Sequence, residues 1–525
     1  TIFVYGAMFT AVALLVFVSN TQILLALLTM VLVGGFIVAT GLGGQTLIQN
    51  IVEDEYRARV VSVHLAIVVG GSAFGTRVKF EDERYPITVD VIGRDLVIDA
   101  DTVIDTVGLS LAARRTDYVA ALRDAWAGEG GCTVLGWPEK RDAPSAAMIN
   151  GTAAHGEDFD NTFEGCPLHS GAVVVPALLA AAEAFGLTGQ QVLKGLAVGT
   201  EIMCRLGLVA QKGVHTAGFH PTGVLGTMAA TTGVAAARDL SPKEIMNAWG
   251  VAGSMASGLI EYLADGTWTK RMHAGWAAQN GLRAAAMARA GFTGPATVFE
   301  GRHGLLHGFA PSVEPDFSIM TGGLDETWWT ARMAFKPYAC GTMTQPFVDC
   351  AIRLANRVNV EDIESLICTV GEGTVHRLWE PLADKRRPLN AYAAKFATPF
   401  CVAVGFLRGD AGLAEFTEDC VRNESILGLA QRVGYEIDPE DEYPRNYTGR
   451  IRAKLRDGSV IEEYQPHLRG GSRSPMTREE LLAKFTANLD YGGLGPVSAE
   501  GVARFADGLA GSDGALDLSS LELKG

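Results

Sequence analysis

Residues 148–176 read MINGTAAHGEDFDNTFEGCPLHSGAVVVP and hold His155, Glu157, Asp158, Asp160, Asn161, Thr162 and His169. Two imidazoles, three carboxylates, an amide and a hydroxyl so close together can move a proton and hold a small polar ligand. Their flanks, AAMINGTAAH and SGAVVVPALLAAAEAF, are rich in Ala, Gly and Val and almost free of charge. Flanks of that kind read as buried helices. The functional expectation is a loop at the mouth of a helical core, presenting acids, a hydroxyl and imidazoles to one pocket. The competing expectation is a capping segment, in which Asp and Thr accept from helix-start amides. In either case Asp160 also fits a structural post, capping a helix or bridging to a buried Arg.

The chain has 525 residues, enough for roughly two to four domains. With 44 basic and 59 acidic residues its net charge is −15, which argues against a nucleic-acid partner. An anionic substrate would need a local cluster of positive side chains. Eight cysteines are scattered without a C-x-x-C pair, which suits a reducing compartment and offers no zinc or iron–sulfur spacing.

The first charged residue is Glu53. Apolar runs at 1–19 and 22–40 each approach the roughly twenty residues of a bilayer-spanning helix, and a shorter run follows at 60–75. No basic n-region precedes them, so a secretory signal fits poorly. The segment resembles the late helices of a major facilitator transporter, through QNIVEDEYRARVVSV at 49–63. The expectation for 1–78 is a transmembrane-like helical fragment, truncated or fused ahead of an enzyme. The enzyme body would then be cytoplasmic, with membrane association through 1–75 only. GLGG at 41–44 lacks the Lys of a phosphate loop.

From residue 77 the chain turns charged and β-leaning, and a domain boundary is expected there. Helical periodicity runs over 100–127 and breaks at GEGG. Thr188–Gln191 and Ser241–Glu244 fit capping boxes. IESLICTVGEG reads as a strand, RIRAKLRDGSVIEEYQ as a hairpin turning at Asp457-Gly458, and 398–407 and 425–433 as helices. The tail from Thr477 is helical and is expected to return to the first domain.

Several ordered blocks resemble the MmgE/PrpD family, which includes 2-methylcitrate dehydratase, cis-aconitate decarboxylase and an iminodisuccinate epimerase. They are NGTAAHGEDFDNT with His169 downstream, FHPTGVLGTMAA at 219, GTWTKRMHAGWAAQNG at 266 and FKPYAC at 335. KFATPFCVAVGFLRG at 395 and MTREELLAKF at 476 fit as well. The resemblance implies a mainly α, multi-helical domain (79–331 and 471–525) with a smaller α+β lid (332–470). It also implies a homodimer, a small polycarboxylate substrate, and neither metal nor organic cofactor. Carried over by position, Asp158, His169 and Lys270 become catalytic candidates; Thr162, His220, Arg271, His273 and Lys336 become substrate-binding ones. Asn161 stands where the family often has Asp, and Leu168-His169-Ser170-Gly171 replaces its histidine–proline–serine arrangement. Tyr392 is a candidate for the lid tyrosine of decarboxylase-like members.

The family's reactions break a bond at a carbon next to a carboxylate, which demands a proton-transfer group and cations for the developing charge. Lys270, Arg271, His273, His220 and Lys336 supply those cations, and Asp158 or His169 the proton transfer. Dehydration of a 2-hydroxy polycarboxylate is the first expectation; decarboxylation or epimerisation in the same pocket is the second. A membrane transport or anchoring protein is the rival class. Blander readings exist for single residues: Lys270-Arg271 as a solvated helix start, His220 as a cap, Lys336 as a domain joint. His303 and His307, four apart, lack an evident third metal ligand. Cys166 has no role in the family chemistry, and Trp328-Trp329 reads as interdomain packing.

Overall fold

The computed structural model describes residues 77–79, 87–91, 94–98 and 100–521, apart from 127, 265, 325, 326, 496, 513, 519 and 520. The apolar runs of the first 75 residues lie outside this range. Among the described residues no helix is long and apolar enough to cross a membrane. The β-leaning stretch forms an antiparallel sheet in chain order, β1 (Arg77–Lys79), β2 (Ile87–Val91) and β3 (Arg94–Ile98), with Val89 opposite both Val78 and Leu96.

Helices follow. The periodic segment at 100–127 is two helices, α1 (Asp101–Ala112) and α2 (Asp117–Ala125), rather than one. The break comes at Thr116, whose hydroxyl and amide both donate to Ala113 O and whose backbone is extended. Beside it Arg114 is buried, donating to the carbonyls of Gly136 and Gly492. Next come α3 (Ala143–Gly156) and α4 (Gly171–Phe185), the buried flanks of the polar loop. α5 (Gly189–Ala210) and α7 (Pro242–Met255) open on the expected capping boxes, with α6 (Pro221–Ala237) between them. α8 (Thr269–Arg289) crosses α3 at van der Waals range: a Cβ on Gly275 would lie 2.1 Å from Met148 O, and one on Gly151 would lie 2.8 Å from Gly275 Cα. Glycine at both positions lets the two backbones meet.

A short antiparallel pair, β4 (Thr162–Phe163) with β5 (Met333–Ala334), ties the polar loop to the segment that leads into the α+β part. That part contains α9 (Gln345–Ala355), β6 (Ile363–Val370), α10 (Thr398–Arg408), α11 (Glu424–Ala430), β7 (Val433–Ile437), β8 (Gly449–Leu455) and β9 (Val460–Gln465). Its sheet runs β9-β8-β6-β7, antiparallel except for the β6–β7 pair. The hairpin turns as expected, with Gly458 at φ +90°. Two boundaries differ from the sequence reading. Gly371 ends β6 and opens a helix at Glu372–Leu378, so GEG is not strand. Val433 starts β7, because its amide-bearing strand docks alongside β6 and buries there. Trp379, Phe400, Leu366 and Ile451 share the buried core of this part. The chain then returns through α12 (Arg478–Tyr491), packed on α1, and α13 (Val497–Gly508).

Candidate active site

The loop between α3 and α4 turns inward. Asp158, the second residue past the end of α3, adopts φ +55° and is buried. Its carboxylate meets two ammoniums: Lys270 Nζ, in the first turn of α8, at 2.6 Å and Lys336 Nζ, just past β5, at 3.6 Å. Lys336 also donates to Asp158 O at 2.8 Å. Burial alone would push this carboxyl up, but the Lys270 and Lys336 charges outweigh it and hold it far below the usual carboxylate range. Burial would likewise lower the Lys270 ammonium; the Asp158 carboxylate reverses that and raises it. The pair is therefore fully ionised.

Asp160 is neither a helix cap nor a bridge to an arginine. Its carboxylate lies between two imidazoles, 2.8 Å from His155 Nδ1 and 3.3 Å from His169 Nδ1. His169 Nδ1 is also 2.9 Å from Asn161 O. Burial would raise the Asp160 carboxyl, and His169 and His155 instead hold it well down. The capping work expected of Asp and Thr falls to Asn161, whose Oδ1 accepts from Gly171 N at 3.1 Å at the start of α4. Histidine–aspartate–histidine is a composition that metals favour, and the candidate ligand atoms lie within 4.8 Å of one another. Here both Nδ1 atoms and the carboxylate are engaged with one another and with Asn161 O, the arrangement of a carboxylate that orients two imidazoles.

Two further histidines complete the group. His220, immediately before α6, and His273, one turn into α8 from Lys270, approach Nδ1 to Nδ1 at 3.2 Å. His220 makes no side-chain cap, and its ring stacks on His155 with centroids 5.5 Å apart. Tyr262 packs edge-on against both His220 and His273. Burial pushes His155 and His220 below the ordinary imidazole range, and it takes His273 down to about 4. All three are neutral at pH 7, so a 3.2 Å contact between two imidazoles is a hydrogen bond rather than a repulsion.

The sequence candidates thus fall in two places. Asp158, His169, Lys270, His220, His273 and Lys336 come together, with Thr162 buried close by at the start of β4. Arg271, one residue from Lys270, points elsewhere. It lies 3.8 Å from Glu157 and is sandwiched between the rings of Tyr118 and Tyr392, at 4.5 and 4.3 Å. It borders an open cleft lined by Thr116, Asp117, Tyr118, Glu157 and Trp268. Tyr392 joins the two places: burial raises its phenol to about 12 against the pull of nearby Lys270. His155, Asp160, Tyr262 and Lys395 were not among the sequence candidates. For the first two the signal was their place in the polar stretch itself, and for Lys395 its place at the head of KFATPF; Tyr262 carried none. His303 and His307 are exposed and belong to no metal-ligating group among the described residues. Cys166 is buried, its thiol pushed up to about 12, and is no nucleophile. Trp329 is half-buried and packs edge-on against Phe163.

The MmgE/PrpD N-terminal domain pattern matches residues 98–318, and the MmgE/PrpD C-terminal domain pattern matches 338–499. Together they cover well over half of the sequence. The chain belongs to the MmgE/PrpD family. Among characterised proteins it is similar to a cis-aconitate decarboxylase of Aspergillus terreus, 28% identical over 380 residues that cover 68% of this chain and 76% of the relative. It is also similar to the human cis-aconitate decarboxylase, 27% identical over 401 residues, 74% of this chain and 82% of that one. A cis-aconitate decarboxylase-like protein, oryM, of Aspergillus oryzae is 26% identical over 395 residues, 70% of this chain and 80% of the relative. Neither domain match reaches residues 1–78, where the expectation is a resemblance to a transporter. The fold expected of an MmgE/PrpD protein, α-rich with a smaller α+β part, is the one observed.

Proposed function

We propose that this MmgE/PrpD chain is a lyase for a small di- or tricarboxylate, breaking a bond at the carbon next to a carboxylate with side chains alone as acid, base and cations. The observation that carries the reading is the ionised Lys270–Asp158–Lys336 cluster beside His169. Ammoniums held in a water-poor pocket stabilise charge that develops on a substrate carboxylate. Decarboxylation of an unsaturated tricarboxylic acid of the cis-aconitate kind is the first reading, and the activity named for the relatives supports it. In that reaction the C–CO2 bond breaks, carbon dioxide leaves, and the electron pair spreads toward a remaining carboxylate held by Lys270 and Lys336. His169, held through Nδ1 by Asp160 and Asn161 O, enters this step as the imidazolium. It delivers the Nε2 proton to the carbon and is left neutral, to be reprotonated from solvent for the next turnover.

Dehydration of a methylcitrate-like 2-hydroxy acid is the second reading. Eliminating water needs a base for the carbon-bound proton and an acid for the leaving hydroxyl. The neutral His220–His273 pair and His169, linked through the His155 ring that packs on both His169 and His220, offer both roles. As part of the same proposal the enzyme works as a homodimer in a reducing, cytoplasmic setting, in keeping with eight unpaired cysteines; membrane association, if the N-terminal segment is retained, would run through 1–75. The test is incubation with cis-aconitate, citrate and methylcitrate in deuterated water, followed by proton NMR. Loss of carbon dioxide supports the first reading and loss of water the second. Deuterium exchange alone points to an epimerase. No turnover of any of the acids overturns the proposal.

A further inference from the structure

Three consecutive carbonyls in the loop that carries Asp158 each receive a buried ammonium from a different part of the chain. Lys395 Nζ donates to Glu157 O at 2.7 Å, Lys336 Nζ to Asp158 O at 2.8 Å, and Lys484 Nζ to Phe159 O at 2.9 Å. Lys395 and Lys336 come from the α+β part, Lys484 from α12 near the other end of the sequence. Lys395 and Lys484 are 1% and 8% exposed, so neither charge is there for solubility. Each is also neutralised: Lys395 by the Glu157 carboxylate at 2.7 Å, Lys484 by Asp105 of α1 at 2.6 Å.

The place explains the need. Glu157 O, at the C-cap of α3, is one of the acceptors a helix leaves without intrahelical donors. Asp158 O and Phe159 O follow it in a buried loop where an unpaired carbonyl is costly. Asp158 sits among them in the left-handed region, a conformation that costs a residue with a side chain about 1 kcal/mol or more and persists only when its surroundings enforce it. That turn aims the Asp158 carboxylate at Lys270. We propose that Lys395 and Lys484 are positioning residues: by clamping the carbonyls on either side of Asp158 they fix the turn that forms the Lys270–Asp158–Lys336 cluster. The α+β part and α12 are then components of the active site, although neither lysine is placed to touch substrate. The idea rests on the reading of Asp158 and Lys270 as working residues.

The test uses the full chain with Lys484→Met and Asp105→Asn together, so that no buried carboxylate is left unpaired. Two quantities are read: amide hydrogen exchange of 157–163 against that of α6, and kcat and KM on the best acid. The expected result is loop exchange faster by about 10-fold with α6 unchanged. With it, kcat falls about 100-fold while KM stays within about 3-fold, the pattern of a misplaced working group. Either native loop exchange or undiminished kcat in the folded variant overturns the assignment. Should α6 exchange rise too, the variant has lost its fold, and Lys395→Met with Glu157→Gln carries the same test. If the native protein turns over no acid, the functional reading fails by itself; loop exchange alone then decides whether the lysines hold the turn.

Discussion

Asp160 spends its carboxylate on two imidazoles, and that has a measurable cost. Asparagine at this position keeps one acceptor and adds a donor; with the amide nitrogen turned to His155 that imidazole loses its acceptor, whereas His169 keeps Asn161 O. A buried donor left unsatisfied costs about 1–3 kcal/mol. Asp160→Asn is therefore expected to lower the urea midpoint by an equivalent amount and to depress turnover as His169 loses the carboxylate charge beside it; an unchanged midpoint would contradict the geometry. The sequence displays the ingredients of this arrangement within fifteen residues, and their types suffice to mark a proton-transfer site. What it does not display is the pairing. His155 sits on α3 and His169 nine residues beyond Asp160, and only the inward turn at Asp158 brings both to one carboxylate. The contact between His220 and His273, 53 residues apart, has no periodic signature at all. Arg271 illustrates the opposite failure: adjacency to Lys270 suggested a shared pocket, yet successive residues on a helix face different ways.

At the scale of elements, the site depends on how closely α3 and α8 approach. α3 delivers His155 and leads into Asp158, while α8 delivers Lys270 and His273. Glycine at 151 and 275 sets their separation. Gly275→Val forces a side chain against the Met148 carbonyl and Thr152, and overpacking of this sort costs about 1–3 kcal/mol. Thermal melting should reveal it, and turnover should fall further than stability alone explains, because the Lys270–Asp158 distance opens. A variant with native melting and native turnover would show that the helices are not so tightly apposed. The abundance of small residues was legible as close helix packing, and capping boxes fixed the starts of α5 and α7. The partner of each helix was not legible, since Ala- and Gly-rich faces look alike in sequence. The break at Thr116 was hidden for a related reason: apolar spacing continues across it, and the turn is made by hydrogen bonds back to Ala113.

Over the whole molecule, an acidic chain of net charge −15 has gathered cations and neutral imidazoles in its interior. Acid stability follows from the imidazoles. His155, His220 and His273 lie below their unfolded value of about 6.5 when folded, His273 at about 4. Between those limits the unfolded chain binds more protons, so stability is full above pH 6.5 and declines as pH falls toward 4. His273 alone accounts for about 3 kcal/mol of that decline, at 1.36 kcal/mol per unit. Denaturant midpoints from pH 7 to pH 4 should fall, and His273→Asn should flatten the curve; equal slopes would mean that His273 titrates normally. The two-part architecture was visible in the change of texture along the sequence, from Gly- and Ala-rich helices to alternating strands. The interlocking of its parts by Lys336, Lys395 and Lys484 was not, because a buried lysine looks like a surface one until its partner is known. The central claim is that the Lys270–Asp158–Lys336 cluster is where a small polycarboxylate is turned over. Its most direct test is the rate of carbon dioxide release from cis-aconitate by the native protein and by Lys270→Ala, with folding of both checked by circular dichroism. The expected result is turnover by the native protein and a loss of about 100-fold or more in the variant. Equal rates in the two proteins would contradict the account.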